Sequence, residues 1–268
     1  TKKGGAIGLL TPTSFLSGEY FKNLRSLLRD QCTFSEMNFV TFRKGVFEDV
    51  LQETMLASYI KTASLESSIK IGQITTCSHN EIIASYVGEF KLQNNHFKPW
   101  ILARMPEQSS LVRAMEKMTF TLKDWGYEVS TGPLVWNRHK DQLNKTSCVC
   151  SFPIIWAEAI TGDGRFILRA EKKNHLSFFT YKKGDEWLIT NRPCILLQRT
   201  TAKEQHKRLI AAPLPVELID EHRGVVIENH INMIIPISDK TPLISLHTLS
   251  AFLNSKAVND AFRCVSGS

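Results

Sequence analysis

Long hydrophobic runs, glycine-rich nucleotide loops and spaced metal ligands are all missing from this sequence. No stretch reaches the roughly 18 to 20 uninterrupted apolar residues of a membrane-spanning helix, although 43% of the 268 residues are hydrophobic. Gly-x-Gly-x-x-Gly, Walker, His-Glu-x-x-His and Gly-x-Ser-x-Gly motifs do not occur. These absences exclude recognisable sites for a dinucleotide, a catalytic zinc ion or a hydrolytic serine, and they predict a globular protein with no membrane partner.

Cysteine is sparse and scattered. The chain has six cysteines, and Cys148-Val149-Cys150 is the one close pair, with no second pair at the spacing of a zinc site. Scattered cysteines of this kind are typical of reduced core residues. We therefore expect a cytoplasmic protein without a metal cofactor.

Positive charge is concentrated in one part of the chain. The formal net charge is +7, and residues 165–208 contain eleven basic and four acidic side chains. The remainder has 22 of each and is neutral. An excess confined to one segment is typical of a surface that binds a polyanion such as nucleic acid, and a solvated basic face with no partner is the alternative.

The first residues predict a strand, a turn and an amphipathic helix. Residues 6–10 form a continuous apolar run, which is typical of a central strand buried on both faces. Ser17 is a candidate cap for the helix that follows. Its predicted apolar face consists of Tyr20, Phe21, Leu24, Leu27 and Leu28. Because such a unit needs a partner sheet, we expect the chain to continue a longer protein.

Further along, strands are predicted at 34–42, 53–61 and 69–74, the last followed by a polar connection. The pattern changes near residues 94–100, and we place the domain boundary there, between residues 95 and 96. Ser109 or Ser110 is then predicted to begin a helix that ends at Gly126. Its apolar stripe consists of Leu111, Met115, Met118, Leu122 and Trp125.

Residues 127–237 contain short β-like runs separated by Gly, Pro and Asn, which predicts an irregular β-rich domain. The predicted strands are 154–156, 165–168, 176–181, 194–199, 225–228 and 231–235. Ser245 and Ser255 are candidate caps for the final helices. The predicted fold is therefore mixed α+β, with domains at 1–95 and 96–268.

Several polar side chains in the second predicted domain suit nucleic acid. Lys and Arg bind phosphates, whereas Gln, Asn and Arg recognise base edges through paired hydrogen bonds. The candidates for phosphate contact are Lys172, Lys173, Lys203, Lys207 and Arg208, the last three at helical spacing. The candidates for base-edge or pocket-rim contact are Arg138, Gln198, Arg199, Asn229, His230 and Asn232.

Two of the candidate residues have alternative interpretations. His230 could act as a general base, but no order of carboxylate, histidine and nucleophile surrounds it, which favours a structural or recognition role. Phe47 follows Gly45 on the connection between two predicted strands. It could anchor that connection in the core, or it could stack on an unpaired base, an interaction worth roughly 1 to 3 kcal/mol.

A series of short motifs in one order resembles a known family. The motifs are residues 5–12 with the helix at 20–25, Gly-Val-Phe at 45–47, Val-Ser-Thr-Gly at 129–132, Arg-Thr-Thr-Ala-Lys-Glu at 199–204, Glu-Asn-His-Ile-Asn at 228–232, Leu-Asn-Ser-Lys at 253–256 and Phe-Arg at 262–263. Together they resemble the adenine-specific DNA methyltransferases of bacterial restriction-modification systems, in the PstI-like and TaqI-like group. The resemblance covers nearly the whole chain.

The resemblance implies a Rossmann-like domain that binds S-adenosylmethionine, followed by a target-recognition domain, with double-stranded DNA as the partner. In the family, an Asn/Asp-Pro-Pro-Tyr/Phe motif holds the flipped adenine and a glycine-rich motif holds the cofactor. Neither occurs in residues 1–268. The resemblance therefore implies that residues 1–95 are the trailing edge of the catalytic sheet, that Phe47 is the second stacking aromatic, and that this chain alone does not turn over.

Two other functions remain open from the sequence. The chain could belong to a non-catalytic specificity module that recruits a separate enzyme, or to a fused enzyme that also carries a nuclease. An Asn/Asp-Pro-Pro-Tyr/Phe motif encoded upstream of Thr1 would favour the methyltransferase over the specificity module. The recognised sequence and the oligomeric state are not indicated by any motif.

Overall fold

A computed structural model of the chain describes residues 1–42, 52–62, 68–76, 81–92, 98–201 and 205–266. The fold is mixed α+β, as predicted, and it divides into two compact units. The first unit comprises Thr1–Thr119 together with Asp260–Ser268, and the second comprises Phe120–Asn259. The boundary between compact units thus falls later in the chain than the predicted domain boundary at 95/96.

The first unit contains one five-stranded sheet. Its strands are β1 (Ala6–Pro12), β2 (Cys32–Val40), β3 (Thr54–Lys61), β4 (Ser68–Thr76) and β5 (Ile82–Lys91), and its helices are α1 (Lys22–Gln31) and α2 (Ser109–Glu116). The strand order is β1-β3-β2-β4-β5. Neighbouring strands are antiparallel except for β2 and β4. The structure confirms the strands predicted at 34–42, 53–61 and 69–74, whereas β5 occupies a segment predicted to be a polar connection.

An aromatic cluster forms the core on one face of this sheet. The ring centroid of Phe34 lies 4.9 Å from that of Trp100 and 5.1 Å from that of Tyr59. Phe15 packs edge-on against Trp100 at 5.6 Å. Rings of this size remove large apolar areas from water, so this cluster supplies much of the stability of the first unit.

The strand predicted at the start of the chain is present as β1. Among the described residues β1 pairs with β3 alone. Its exposure alternates, with Ile7 and Leu9 packed against the core and Leu10 45% exposed. The central position predicted from the continuous apolar run supposes a partner sheet outside residues 1–268, so it stays a prediction.

The first helix also differs from its prediction. Two short 3₁₀ turns at Thr13–Leu16 and Glu19–Phe21 precede α1, and Ser17 does not cap it. Of the predicted apolar face, Leu28 is buried, whereas Tyr20, Leu24 and Leu27 are exposed. The helix instead buries Arg25, whose Nη1 donates hydrogen bonds of 2.8 Å to the carbonyls of Phe15 and Gly18. Hydrogen bonds to the preceding turns therefore set its orientation.

The predicted long helix from Ser109 to Gly126 is interrupted. α2 ends at Glu116, and the Asp124 carboxylate accepts 2.7 Å hydrogen bonds from the backbone N–H and the hydroxyl of Thr121, which begin a separate turn. Leu111 packs in the core of the first unit, whereas Leu122 and Trp125 pack in a core of the second. The apolar stripe is therefore divided between two units.

The second unit contains two small sheets and short helices. Its strands are β6 (Tyr127–Thr131), β7 (Leu143–Asn144), β8 (Ser151–Ile155), β9 (Phe178–Thr180), β10 (Ile189–Thr190), β11 (Ile195–Gln198), β12 (Ala211–Pro213), β13 (Val225–Ile227) and β14 (Ile231–Pro236), and its helices are α3 (Val216–His222), α4 (Leu246–Leu253) and the start of α5 (Lys256–Ser266). The sheet orders are β12-β11-β14-β6 and β10-β13-β8-β9-β7. This is the irregular β-rich architecture predicted from the sequence.

Most local predictions for the second unit are confirmed. Five of the six predicted strands are present, and residues 165–168 form only an isolated bridge between Ile160 and Phe166. The Ser245 hydroxyl accepts a hydrogen bond from the Thr248 N–H, and the Ser255 hydroxyl accepts one from the Val258 N–H. Both serines cap helices as predicted.

Both faces of the four-stranded sheet are packed. On one face, Leu196 and Met233 join a core that includes Ile219 of α3. On the other, Leu197 and Ile234 pack with residues of α4. β11 and β14 are therefore held by core residues on both faces.

Within the described ranges, no helix has the length and apolar character needed to cross a membrane. The same residues contain no group of three or more His, Cys, Asp or Glu side chains placed to hold a metal ion. The five cysteines that the structure describes are free thiols: Cys32, Cys148, Cys150, Cys194 and Cys264.

Candidate nucleic-acid interface

A short turn between β13 and β14 forms the centre of the candidate site. The Glu228 N–H donates to the Ile155 carbonyl at 3.1 Å, and the Asn229 N–H donates to the Leu134 carbonyl at 3.0 Å. The Ile231 N–H closes the turn on the Glu228 carbonyl at 3.0 Å. These bonds tie the turn to two neighbouring segments, so its side chains are held in place by a rigid scaffold.

A buried carboxylate orients the imidazole of this turn. Glu228 is 1% exposed, whereas 55% of the His230 side chain is exposed. Glu228 Oε1 lies 2.7 Å from His230 Nδ1, and Oε2 accepts a 2.9 Å hydrogen bond from the His230 N–H. The buried Glu228 carboxylate therefore fixes the orientation of the exposed His230 ring.

The end of β11 brings Arg199 to the same turn. Its N–H donates to the His230 carbonyl at 3.0 Å, and its Nη1 donates to the Asn229 carbonyl at 3.1 Å. Asn232 follows on β14, where its Oδ1 accepts a 3.2 Å hydrogen bond from the Thr131 hydroxyl of β6. We refer to Arg199, Asn229, His230 and Asn232 as the turn patch.

Gly132 allows two backbone segments to approach closely beside the turn. A Cβ on Gly132 would lie 2.3 Å from the Glu228 carbonyl oxygen and 2.8 Å from that of Ile227. The Gly132 N–H donates to the Ile231 carbonyl at 2.8 Å. Only glycine lets this segment pass so near the backbone of the turn, so Gly132 helps to define the geometry of the turn patch.

The other candidates lie outside the turn patch. The Gln198 amide donates to the Ile160 carbonyl at 2.7 Å, which engages it inside the unit. Arg138, Lys172 and Lys173 are exposed on loops and turns, and no hydrogen bond between the described residues links their side chains to the patch.

The predicted helix after β11 is absent from the residues that can be described there. Residues 205–208 are not helical, so the helical spacing expected for Lys207 and Arg208 is wrong. Arg208 Nη1 donates to the Thr201 carbonyl at 2.6 Å, and its N–H donates to Asn259 Oδ1 at 2.6 Å. The Arg208 N–H thus bonds to a side chain rather than to a helical carbonyl. Phe47 and Lys203 lie outside the described residues.

A second carboxylate and histidine pair supports the loop that carries Lys172 and Lys173. Glu158 Oε1 lies 2.7 Å from His175 Nδ1 and accepts a 3.0 Å hydrogen bond from the Glu171 N–H. The His175 ring stacks on Trp156 with 3.8 Å between centroids. Burial opposes ionisation of Glu158, but the hydrogen bonds from His175 and Glu171 outweigh it and lower the pKa of the carboxyl.

Sequence reasoning missed this pair and the position of Glu228 beneath the patch. Glu158 and His175 come from separate segments, so no local motif marks them. Glu228 is visible as a Glu-x-His spacing, but its burial depends on the packing of β13. Sequence reasoning also missed an open cavity of about 200 Å³ lined in part by Ser130, Trp187 and Arg192.

The chain is homologous to Type II methyltransferases of restriction-modification systems over nearly its whole length. It is 26% identical to Type II methyltransferase M.BsuBI of Bacillus subtilis across 98% of the chain. It is 24% identical to Type II methyltransferase M.PstI of Providencia stuartii across 99% of the chain. The chain spans about half of these relatives, 53% of each.

Two further comparisons with known proteins give a weak match and no match. The solved structure of the type IIG restriction endonuclease BpuSI matches 98% of this chain and 38% of its own, at 12% identity and a TM-score of 0.35. No protein-family model matches the sequence.

Proposed function

We propose that the second unit recognises double-stranded DNA for a restriction-modification DNA methyltransferase. The observation that carries this proposal is the homology to Type II methyltransferases, which extends over 98% of the chain and therefore includes the second unit and its turn patch. The unit contributes sequence recognition, and the chemistry belongs to the whole enzyme.

The distribution of charge supports a DNA partner. The whole net charge of +7 arises in residues 165–208, all within the second unit. Lys172 and Lys173 are exposed cations suited to phosphates, as is Lys207, which is partly exposed. Arg199 joins this basic segment to the turn patch, where guanidinium, amide and imidazole groups suit base edges.

We further propose that the whole enzyme uses S-adenosylmethionine to methylate the exocyclic amine of an adenine flipped out of the duplex. Residues 1–95 would complete the catalytic sheet. Extruding a base costs a few kcal/mol, which stacking in a pocket recovers. The glycine-rich and Asn/Asp-Pro-Pro-Tyr/Phe motifs are absent from residues 1–268. We therefore assign no residue of this chain to the cofactor.

The proposal is tested by the salt dependence of duplex binding. The chain is titrated against a fluorescent duplex pool of randomised sequence at several salt concentrations. Replacing Lys172, Lys173 and Lys207 together with Gln should lower the magnitude of the slope of log K against log salt by about 3. A matched triple replacement of Lys70, Lys91 and Lys117, which are exposed on the first unit, should leave the slope unchanged.

Undetectable or salt-insensitive binding by the chain would contradict the proposal. An equal loss of slope in both triple variants would do the same, because it would mean that any surface lysine contributes and that the second unit has no dedicated surface.

Phe47 tests the proposed base flipping in the full-length methyltransferase. If its ring stacks on the extruded adenine, Phe47→Ala should lower methylation by about fivefold or more, since stacking is worth roughly 1 to 3 kcal/mol. Duplex binding should change little. The measurements are methyl transfer to a duplex and fluorescence of 2-aminopurine at the target base. Phe47→Trp should retain both signals, and full activity of Phe47→Ala would refute the assignment.

A further inference from the structure

We infer that Glu228 is a positioning residue that makes His230 a hydrogen-bond acceptor toward DNA, so that His230 selects a base carrying an exocyclic amine, cytosine or adenine, in the major groove. The inference rests on the proposed function, because it requires the turn patch to contact DNA. It adds to that function a preference for cytosine or adenine, and it names Glu228, beneath the turn patch, as the residue that sets this preference.

The hydrogen bonds of the buried carboxylate determine where the imidazole proton lies. An ionised carboxylate only accepts hydrogen bonds, so the 2.7 Å contact between Glu228 Oε1 and His230 Nδ1 requires a proton on Nδ1. In the neutral ring, Nε2 then carries none and is an acceptor. The ring is more than half exposed, and Nε2 lies on the side away from Glu228.

The second carboxylate oxygen makes this arrangement difficult to reverse. Glu228 Oε2 accepts the backbone N–H of His230 at 2.9 Å. The carboxylate therefore cannot rotate away without leaving a backbone donor unsatisfied in a site where Glu228 is 1% exposed. Backbone and ring are thus oriented together.

The major groove distinguishes bases by the groups that such an acceptor would meet. Cytosine N4 and adenine N6 donate hydrogen bonds, whereas guanine O6 and N7 and thymine O4 accept them. A neutral His230 with an accepting Nε2 therefore favours cytosine or adenine.

The charged groups on the elements that meet at this turn are few among the described residues. Glu228 lies beneath the ring, and Arg199 at the end of β11 donates to the Asn229 carbonyl beside it. Thr131, at the end of β6, and Gly132, which follows it, carry no charge. Among the described residues, Glu228 is therefore the charged side chain that contacts the ring.

Glu228→Gln is predicted to reverse the preference. The amide has one oxygen and one NH₂ group, and its oxygen must continue to accept the backbone N–H of His230. The NH₂ group then donates to Nδ1, and the proton moves to Nε2. His230→Gln is the second variant. Its exposed amide both donates and accepts, so it should lose the preference while the fold is retained.

The experiment selects bound duplexes from a randomised-sequence library, using the complete chain in each case. The base pair that His230 recognises is the position at which His230→Gln flattens the wild-type preference. We expect cytosine or adenine there in the wild type and a shift of about tenfold toward guanine or thymine in Glu228→Gln.

The outcomes separate this inference from the proposed function. A wild-type chain that enriches no sequence would refute both. A wild-type chain that enriches a sequence, with His230→Gln enriching the same one at every position, would overturn the inference alone. So would a wild-type preference for guanine or thymine at the position that His230→Gln flattens, a result that does not depend on whether Glu228→Gln folds.

Discussion

The two units of this chain differ in where they place their apolar and charged residues. The first buries a cluster of aromatic rings on one face of a single five-stranded sheet. The second distributes its apolar residues over three smaller clusters, and it contains the segment that supplies the net positive charge. One unit is therefore built around a sheet, whereas the other is built to position loops.

This difference indicates how each unit can contribute to a larger enzyme. On the other face of the first sheet, Leu10 of β1 is paired with Leu56 of β3, and both are more than two-fifths exposed. In the second unit, Arg199 and His230 of the turn patch are exposed, and Asn229 and Asn232 are partly exposed. Functional side chains carried on loops above a packed scaffold are the usual arrangement for recognition.

The largest expected effect concerns the buried arginine of the first unit. Arg25→Ala removes hydrogen bonds to the carbonyls of Phe15 and Gly18. It should lower the free energy of unfolding of that unit by about 3 kcal/mol. Chemical denaturation would be followed by thiol labelling of Cys264 in the first unit and Cys194 in the second. Burial raises the pKa of these thiols to about 11 and about 12, which protects both from labelling in the folded state.

If the units are stabilised separately, Arg25→Ala should expose Cys264 at lower denaturant and leave Cys194 unchanged. Arg113→Ala, at an exposed position of α2, is the matched control and should change neither. Simultaneous labelling of both thiols would show that the contrast between the units does not extend to their stability.

A smaller effect is expected in the second unit from Gly132. A methyl group there would collide with the Glu228 carbonyl oxygen, so Gly132→Ala should lower the stability of the second unit by about 2 kcal/mol. Cys194 should become reactive at lower denaturant, while Cys264 does not. Gly162→Ala, where nothing lies within 4 Å of the added carbon, should leave both unchanged. Equal effects of the two substitutions would argue against the close approach at Gly132.

Local patterns in the sequence predicted much of the fold, and their failures have physical causes. The strands at 34–42, 53–61 and 231–235 are real because their apolar residues face a core. The central position predicted for β1 is untested within residues 1–268, because a short apolar run is compatible with both a central and an edge strand. α1 was mispredicted because hydrogen bonds from Arg25 to two preceding turns decide which face it buries.

The residue types of the candidate site could be predicted from the sequence, but their arrangement in space could not. Arg199, Asn229, His230 and Asn232 were identified by residue type, and the pairing of β11 with β14 brings them together. Strand pairing over such sequence separations is not encoded in any local motif. The same limit explains why Glu158 and His175, which meet through tertiary packing, could not be found.

The smallest expected effect tests whether the Glu158 carboxylate stabilises the second unit in a pH-dependent way. The pKa of Glu158 is lowered in the fold, so its ionised form contributes stability above the ordinary value of 4.5, and this contribution is lost as pH falls through the lowered pKa. Glu158→Gln should cost the second unit about 1 kcal/mol at neutral pH, where the carboxylate accepts from His175 and Glu171. Below the lowered pKa the variant and the wild type should converge. Thermal unfolding followed by circular dichroism between pH 3 and 7 measures this difference, with Glu217→Gln on the exposed side of α3 as the control. If the difference in stability between Glu158→Gln and the wild type did not change with pH, the charge of the Glu158 carboxylate would not stabilise this loop. In that case Glu158 would not make the two units differ in acid sensitivity.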